Sequence, residues 1–155
     1  MAHESLRLSN QVCFPLYASA RHIMKLYKPF LDPLDLTYTQ YLAMMVLWED
    51  GATTVSGLGD RLYLDSGTLT PMLKRLEASG YVKRTRSAWD ERVVIVEPSE
   101  KGLALESEAL AIPARMRACL ELTDEDLKEL RRLLGNFLGD PKNGSAKPPE
   151  EGKTT

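Results

Sequence analysis

Two thiols are the groups in this chain best able to do covalent chemistry. Cys13 and Cys119 are its two cysteines among 155 residues. A thiol reacts as its thiolate, so chemistry at either position needs a setting that lowers the pKa from about 8.5, such as a helix N-terminus or nearby hydroxyl donors. Cys13 lies near the start of a helical pattern, and Cys119 lies in the stretch IPARMRACLEL. No metal-ligand spacing accompanies either, and the histidines are His3 and His22 alone. Neither a zinc site nor any other cofactor is expected. A stable structural disulfide does not suit a reducing cytosol, which leaves inert buried thiols or redox-active ones. A thiol peroxidase would need a reductant, and neither a C-x-x-C motif nor a thioredoxin-like βαβ pattern supports an enzyme.

A second constellation suits nucleic acid. In LYLDSGTLTPMLKRLEASG, residues 62–80, Leu69, Met72, Leu73 and Leu76 share one helix face. Gly67, Thr70, Pro71 and Lys74 fall on the opposite face, flanked by Thr68 and Arg75. Hydroxyls and backbone donors reach phosphates or base edges, and cations meet phosphate charge. An amphipathic helix with a solvated polar face would show the same spacing. Asp65 is a cap and Gly80 a stop. Pro71 removes a hydrogen bond inside this span, so a start at Thr70 with Pro71 in the first helical position is an alternative. From Lys74 to Arg92 there are six cations (Lys74, Arg75, Lys83, Arg84, Arg86, Arg92) against three anions (Glu77, Asp90, Glu91). The whole chain carries −2, which argues against a general basic coat such as that of a non-specific architectural protein. Local asymmetry of this kind can still form a DNA footprint.

The elements that must position these groups follow from periodicity. Hydrophobic content is 43% and charged content 27%, the composition of a globular chain. No apolar run approaches a membrane span, and MAHESLRLSN lacks a signal-peptide pattern, so a cytoplasmic protein is expected. A first helix is predicted from about Asn10 to Leu31, with Pro15 tolerated in its first turn and Pro29 and Pro33 marking its end. Cys13, Tyr17, Ala20, Met24, Tyr27 and Leu31 form one stripe along it. Tyr38–Trp48 reads as a second helix, capped by Thr37 or Thr39, with Tyr41, Leu42, Met45 and Val46 inward. Residues 50–53 read as a turn. Thr54 caps a short third helix to Leu62 with Val55, Leu58 and Leu62 inward, although Gly57 and Gly59 weaken it. The third helix, a turn and the 62–80 helix make the helix-turn-helix order.

Residues 81–86 and 92–97 are β-rich runs around a polar 87–91 connection, which reads as a hairpin. A hairpin directly after a recognition helix is a wing. Arg84 and Arg86 are then candidates for phosphate contacts, and Arg92 for the minor groove, where narrow A·T-rich segments attract arginine. A salt bridge from Arg92 to Asp90 or Glu91 is the competing and compatible reading. Ser99 starts a fifth helix, bent by Pro113. Thr123 and Asp126 form a capping-box pattern. Leu127, Leu130, Leu133, Leu134, Phe137 and Leu138 make an apolar stripe on the last helix. This stripe and the first helix lack partners in so small a winged domain, which suggests a homodimer.

The fold class expected is mainly α with a small β-hairpin wing: a winged helix-turn-helix dimerised through its N- and C-terminal helices. The organisation expected is a dimerisation and sensor helix at 1–36, a DNA-binding domain at 37–98, dimerisation helices at 99–138 and a disordered tail at 139–155.

From about Asn10 to Leu138 the chain resembles the MarR-type winged-helix regulators, and within them the organic hydroperoxide sensors of the OhrR type. The pieces that carry the resemblance are NQVCFPLY with Cys13, YKPFLDPLDLTYTQYL, LYLDSGTLTPMLKRLE and the wing signature DER at Asp90–Arg92. The resemblance implies a homodimeric repressor whose reduced form binds a pseudo-palindromic operator. It implies that an organic hydroperoxide, the inducer, oxidises Cys13 and that the dimer then releases DNA. It also implies hydroxyl support of the thiolate by tyrosines of the partner subunit at the positions matching Tyr27 and Tyr38, with Tyr17 close by. Along one continuous helix Tyr27 would lie about 21 Å from Cys13, so antiparallel crossing of two copies near Ala20 would bring them together. Cys119 falls where two-cysteine members of the family place a resolving thiol. A disulfide needs Cα atoms within about 7 Å, so movement on oxidation is expected. Pro15 departs from the family pattern, which has a small apolar residue there, and bears on the thiolate environment. The DNA-contacting set expected is Ser66, Thr68, Thr70, Lys74 and Arg75 on the helix, with Arg84, Arg86, Asp90 and Arg92 on the wing. The alternative is a MarR-type repressor answering to a small aromatic ligand without thiol chemistry.

Overall fold

The computed structural model describes residues 3–139. It contains seven α-helices and one three-stranded antiparallel sheet among those residues. Short 3-10 turns at Glu4–Leu6 and Leu8–Asn10 precede α1, Cys13–Leu31. The first helix therefore starts later than its spacing predicts, because Gln11 is extended. Pro15 sits in the first turn, where its missing N–H has no intrahelical partner to lose. Pro29 lies in the last turn and Pro33 just beyond it, in the 3-10 turn Asp32–Leu34.

Helix α2, Tyr38–Asp50, begins with a complete capping box. The Thr37 hydroxyl accepts the Gln40 N–H, and the Gln40 side chain accepts the Thr37 N–H. Its buried residues are Gln40, Tyr41, Ala43, Met44, Val46 and Leu47. This corrects the inward set: Leu42 is only partly buried, and Met45 is 41% exposed. The physical reason is position. Helix α2 touches α1, both helices of the helix-turn-helix, the helix that follows the wing, and the sheet, so it is enclosed over most of its circumference and its run YLAMMVLW shows no narrow stripe.

Strand β1, Thr53–Thr54, leads into α3, Val55–Leu62. The turn predicted at 50–53 thus ends in a strand. Helix α4 spans Ser66–Ala78, β2 Val82–Arg86 and β3 Val94–Pro98. The strand order is β1–β3–β2, with Thr53 opposite Val96 and Arg86 opposite Val94. The two-residue β1 escapes a pattern search because it is too short to show alternation. Helix α5, Glu100–Ala109, is capped by Ser99. The chain then breaks at Leu110–Ala111, and α6, Ile112–Cys119, restarts with Pro113 in its first turn, so the expected bend is a break. Helix α7, Asp124–Leu138, carries the Thr123–Asp126 capping box.

One core joins these elements, from Leu31, Leu34 and Leu36 through α2, α4 and Val96 to Leu105, Ile112 and Met116. Two long-range hydrogen bonds fasten it: Tyr81 donates its hydroxyl to the Leu34 carbonyl at 2.9 Å, and Trp48 Nε1 donates to the Gly102 carbonyl at 2.9 Å. The chain ends behave differently. Helix α1 buries only Leu31, and α7 buries none of its residues. Phe14, Tyr17, Met24, Leu130, Leu133, Phe137 and Leu138 remain exposed within one chain. The tail predicted at 139–155 lies outside the described residues except for Gly139.

Candidate nucleic-acid interface and thiol site

The helix-turn-helix is built by close approach. The Thr54 hydroxyl caps α3 by accepting the Gly57 N–H at 3.0 Å. A Cβ at Gly59 would fall 2.7 Å from the Leu64 carbonyl oxygen and 2.9 Å from Leu69 Cδ1. The glycine that weakens α3 as a helix is what lets the turn and α4 pack against it. Tyr63 ends α3 in the left-handed region at φ 55°. Asp65 then caps α4, accepting the Thr68 N–H at 2.9 Å and its hydroxyl at 3.0 Å. The Thr68 backbone bond, followed by its hydroxyl, holds the Asp65 carboxyl below its ordinary range.

Helix α4 runs unbroken through Pro71, so Asp65 and not Thr70 is its cap. Gly67 and Pro71 are both exposed, and solvent can satisfy the carbonyl that the proline leaves without a donor. The C-terminus closes as a Schellman motif: Tyr81 N–H reaches the Leu76 carbonyl, Gly80 N–H reaches that of Glu77, and Gly80 takes φ 79°. The buried face is Leu69, Met72, Leu73 and Leu76, as the spacing predicts. Ser66, Thr68, Thr70, Lys74 and Arg75 are all exposed.

The wing stands beside this face. An open cleft of about 470 Å³ between them brings Ser66 and Thr70 of α4 together with Arg84 and Arg92 of the hairpin. Arg75 is on another side, lining a hollow with Asp32, Asp35 and Gln40. Arg84, expected on phosphate, has its guanidinium on Glu77 instead, with Nε at 3.0 Å and Nη2 at 2.5 Å. Its backbone N–H also donates to Glu77. This clamp ties β2 to α4 and holds the Glu77 carboxyl below its usual range. Charge counting along the sequence misses it, because the pairing depends on how the strand folds back on the helix. Asp90 shapes the wing tip: its side chain accepts the Arg92 N–H at 2.9 Å, and its carbonyl accepts the Val93 N–H at 2.9 Å. Among the described residues the Arg92 guanidinium forms no salt bridge, so the competing ion-pair reading is not realised. Lys74 and Arg86 are likewise exposed and unpaired there.

The thiols sit at helix ends. Cys13 is the first residue of α1 and Cys119 the last of α6; both are exposed and free. Tyr27 and Tyr38 stack with ring centroids 4.6 Å apart, and Tyr41, which pattern reading treats only as core, lies 5.8 Å from Tyr27. Burial pushes the Tyr27 phenol up to about 12, with Tyr38 and then Tyr41 adding to it. Burial also raises Tyr38 and Tyr41. All three are therefore neutral hydroxyls at physiological pH, able to donate. Tyr27 and Tyr38 border an apolar groove of about 300 Å³ with Ile23, Met116, Arg117 and Leu120. Tyr17 stands apart, its hydroxyl accepting from Arg21 at 2.7 Å. Within one chain the fold joins Tyr27 to Tyr38 but not to Cys13. Fourteen residues of continuous α1 keep Tyr27 about 21 Å from Cys13 along the helix.

Comparison with known proteins agrees with this geometry. The family described as "Transcriptional regulator SarA/Rot" matches residues 25–108. The organic hydroperoxide resistance transcriptional regulator of Bacillus subtilis is 48% identical over 135 residues, spanning 87% of this chain and 92% of that protein. Reduced AbfR bound to DNA superposes with a TM-score of 0.69 at 38% identity, covering 87% of this chain and 98% of that one. AbfR is also known in a disulfide-formed structure, with a TM-score of 0.62 at 37% identity, covering 88% of this chain and 96% of that one. A mutant MarR from E. coli complexed with operator DNA gives a TM-score of 0.75 at 27% identity over 83% of this chain and 94% of that one. No described helix is long and apolar enough to cross a membrane. With its capped recognition helix, its wing and relatives matched over most of its length, the chain belongs to the MarR family of winged-helix transcriptional regulators.

Proposed function

We propose that this protein is a homodimeric cytoplasmic repressor, not an enzyme, that senses organic hydroperoxides at Cys13. Residues 37–98 engage DNA, and the flanking helices join two copies. The observation that carries the reading is the separation of Cys13 from the stacked Tyr27–Tyr38 pair along one rigid helix. Two copies of α1 crossing antiparallel would seat each cysteine against the other subunit's neutral phenols. The exposed faces of α1 and α7 are the surface such a pairing needs. The apolar groove beside the tyrosines suits an alkyl tail, which favours organic hydroperoxides over hydrogen peroxide.

The chemistry balances without a cofactor. The Cys13 thiolate attacks the outer peroxide oxygen, the O–O bond breaks, and the alkoxide leaves and takes a proton as the alcohol. Cys13 is then a sulfenic acid. The thiol of Cys119 of the partner subunit displaces its oxygen as water and forms a disulfide. The two-cysteine route is supported by the exposure of both thiols and by the disulfide-formed relative AbfR. Pro15 stays in the first turn and removes one N–H near Cys13, so part of the thiolate stabilisation falls to the tyrosines.

On DNA, α4 offers Ser66, Thr68, Thr70 and Lys74 to the major groove and its phosphates, and the wing offers Arg86 and Arg92; Arg75, which faces the hollow with Asp32 and Asp35, would reach only a phosphate at the edge of the groove. Asp90 acts by holding the tip, and Arg84 by anchoring the wing to α4. The test is operator binding and non-reducing gel mobility before and after one equivalent of an organic hydroperoxide. Wild type should lose DNA and gain a dimer-sized band, Cys13→Ser should do neither, and Cys119→Ser should lose the band. DNA binding unchanged by peroxide in wild type would favour the small-ligand repressor.

A further inference from the structure

Trp89 at the wing tip is 98% exposed, the most exposed of the large apolar side chains among the described residues. The loop that presents it is built rather than slack. Trp89 N–H donates to the Ser87 hydroxyl at 3.2 Å, Ser87 N–H to the Val93 carbonyl at 2.8 Å, and Arg92 N–H to the Asp90 carboxylate at 2.9 Å. A tryptophan held out by an ordered turn leaves a large apolar face and an N–H donor in water, the combination that enriches tryptophan at interfaces. The hairpin it tops defines the contact. Arg86 and Arg92, nearest the tip, are exposed and form no salt bridge among the described residues. Asp90 and Glu91 adjoin Trp89, but the Asp90 carboxylate is turned to the Arg92 N–H. Free cations along a hairpin with an aromatic at its tip suit a polyanion with apolar sugar and base faces rather than another protein's apolar patch.

We propose that Trp89 is a DNA-contacting residue that packs its indole on the sugar and base edges of the minor groove beside Arg92. It adds an apolar, sequence-tolerant contact to the charge of the wing. The inference rests on the DNA-binding reading above and assigns to the tip a role that none of the arginines can fill, because the indole carries no charge. Wedge and stacking contacts from apolar side chains are a general means of gripping this groove.

The test uses the full chain and a labelled duplex selected from a random pool with wild-type protein. Trp89→Ala should weaken binding about tenfold while leaving the slope of log affinity against log salt unchanged, since no phosphate charge is lost. Trp89→Phe should recover most of the affinity. Acrylamide quenching of the emission difference between wild type and Trp89→Phe should fall when DNA is bound. Affinity within twofold of wild type for Trp89→Ala, or an indole equally quenchable in the complex, would overturn the assignment while leaving DNA binding intact. Failure of wild type to select any duplex would overturn both it and the reading beneath it.

Discussion

Replacing Gly102 by alanine tests how α5 is seated. A Cβ there would lie 2.0 Å from the Tyr81 carbonyl oxygen, 3.0 Å from its carbon and 3.2 Å from Met44 Cε. Carbon–oxygen contacts settle near about 3.3–3.6 Å, so the methyl would have to move by more than about 1 Å. Tyr81 cannot yield. Its carbonyl accepts the Ser99 N–H, its own N–H donates to Leu76, and its hydroxyl donates to Leu34, each at 2.9 Å. The helix must withdraw instead, which strains the Trp48 bond to the Gly102 carbonyl and the Ser99 cap on the Gly102 N–H. Overpacking costs about 1–3 kcal/mol and a lost hydrogen bond about 1 kcal/mol. Helix propensity returns up to about 1 kcal/mol, because alanine is the better helix former. The net expectation is a loss of about 2–3 kcal/mol, read as a lower urea midpoint at fixed protein concentration in reductant. The sign decides the matter. If α5 were loosely seated, Gly102→Ala would stabilise the protein through propensity alone, and a raised midpoint would refute the packing argument.

Other outcomes follow from the same geometry. Tyr27, pushed up to about 12, holds its proton more tightly folded than unfolded. Its stabilising effect is therefore complete below pH 10 and lost as pH rises toward 12. In a phenolate-absorbance titration, Tyr27→Phe should remove an ionisation from the top of the curve; a loss near the ordinary midpoint would contradict the burial. Arg86→Ala should reduce the salt slope of DNA binding by about one. Arg84→Ala, which breaks the clamp to Glu77, should leave that slope unchanged and cost about 1 kcal/mol of stability by urea titration, the scale of a partly exposed pair. Equal slope losses would mean that Arg84 leaves Glu77 for phosphate. Arg92→Ala should weaken operator binding by at least about 1 kcal/mol, roughly fivefold, in an anisotropy titration.

Much of this architecture is legible in local pattern. Asp65, Thr54, Thr37 and Thr123 announce their helices because each cap is satisfied within three residues, and Gly80 announces an end because the chain turns left-handed there. What escapes reading depends on contacts distant in sequence. The Glu77–Arg84 clamp requires the strand to return on the helix, and β1 is defined by β3 rather than by its own two residues. Met44 and Leu47 replace Leu42 and Met45 in the core because neighbours on most sides, not periodicity, decide burial in α2. The thiol site is the extreme case. Cys13 and Tyr27 share a stripe in sequence, yet one chain holds them about 21 Å apart along α1, so the proposed site would require a second molecule.

That requirement can be measured directly. Cys13→Ser subunits mixed with Tyr27→Phe subunits form a dimer in which one site keeps Cys13 from one chain and Tyr27 from the other, while the second site has neither. With a shared site, stopped-flow oxidation of the mixed dimer by an organic hydroperoxide should proceed at the wild-type rate with half the wild-type amplitude. Tyr27→Phe alone should be slow at full amplitude. A mixed dimer that oxidises only at the slow Tyr27→Phe rate would contradict the crossed cysteine–tyrosine site.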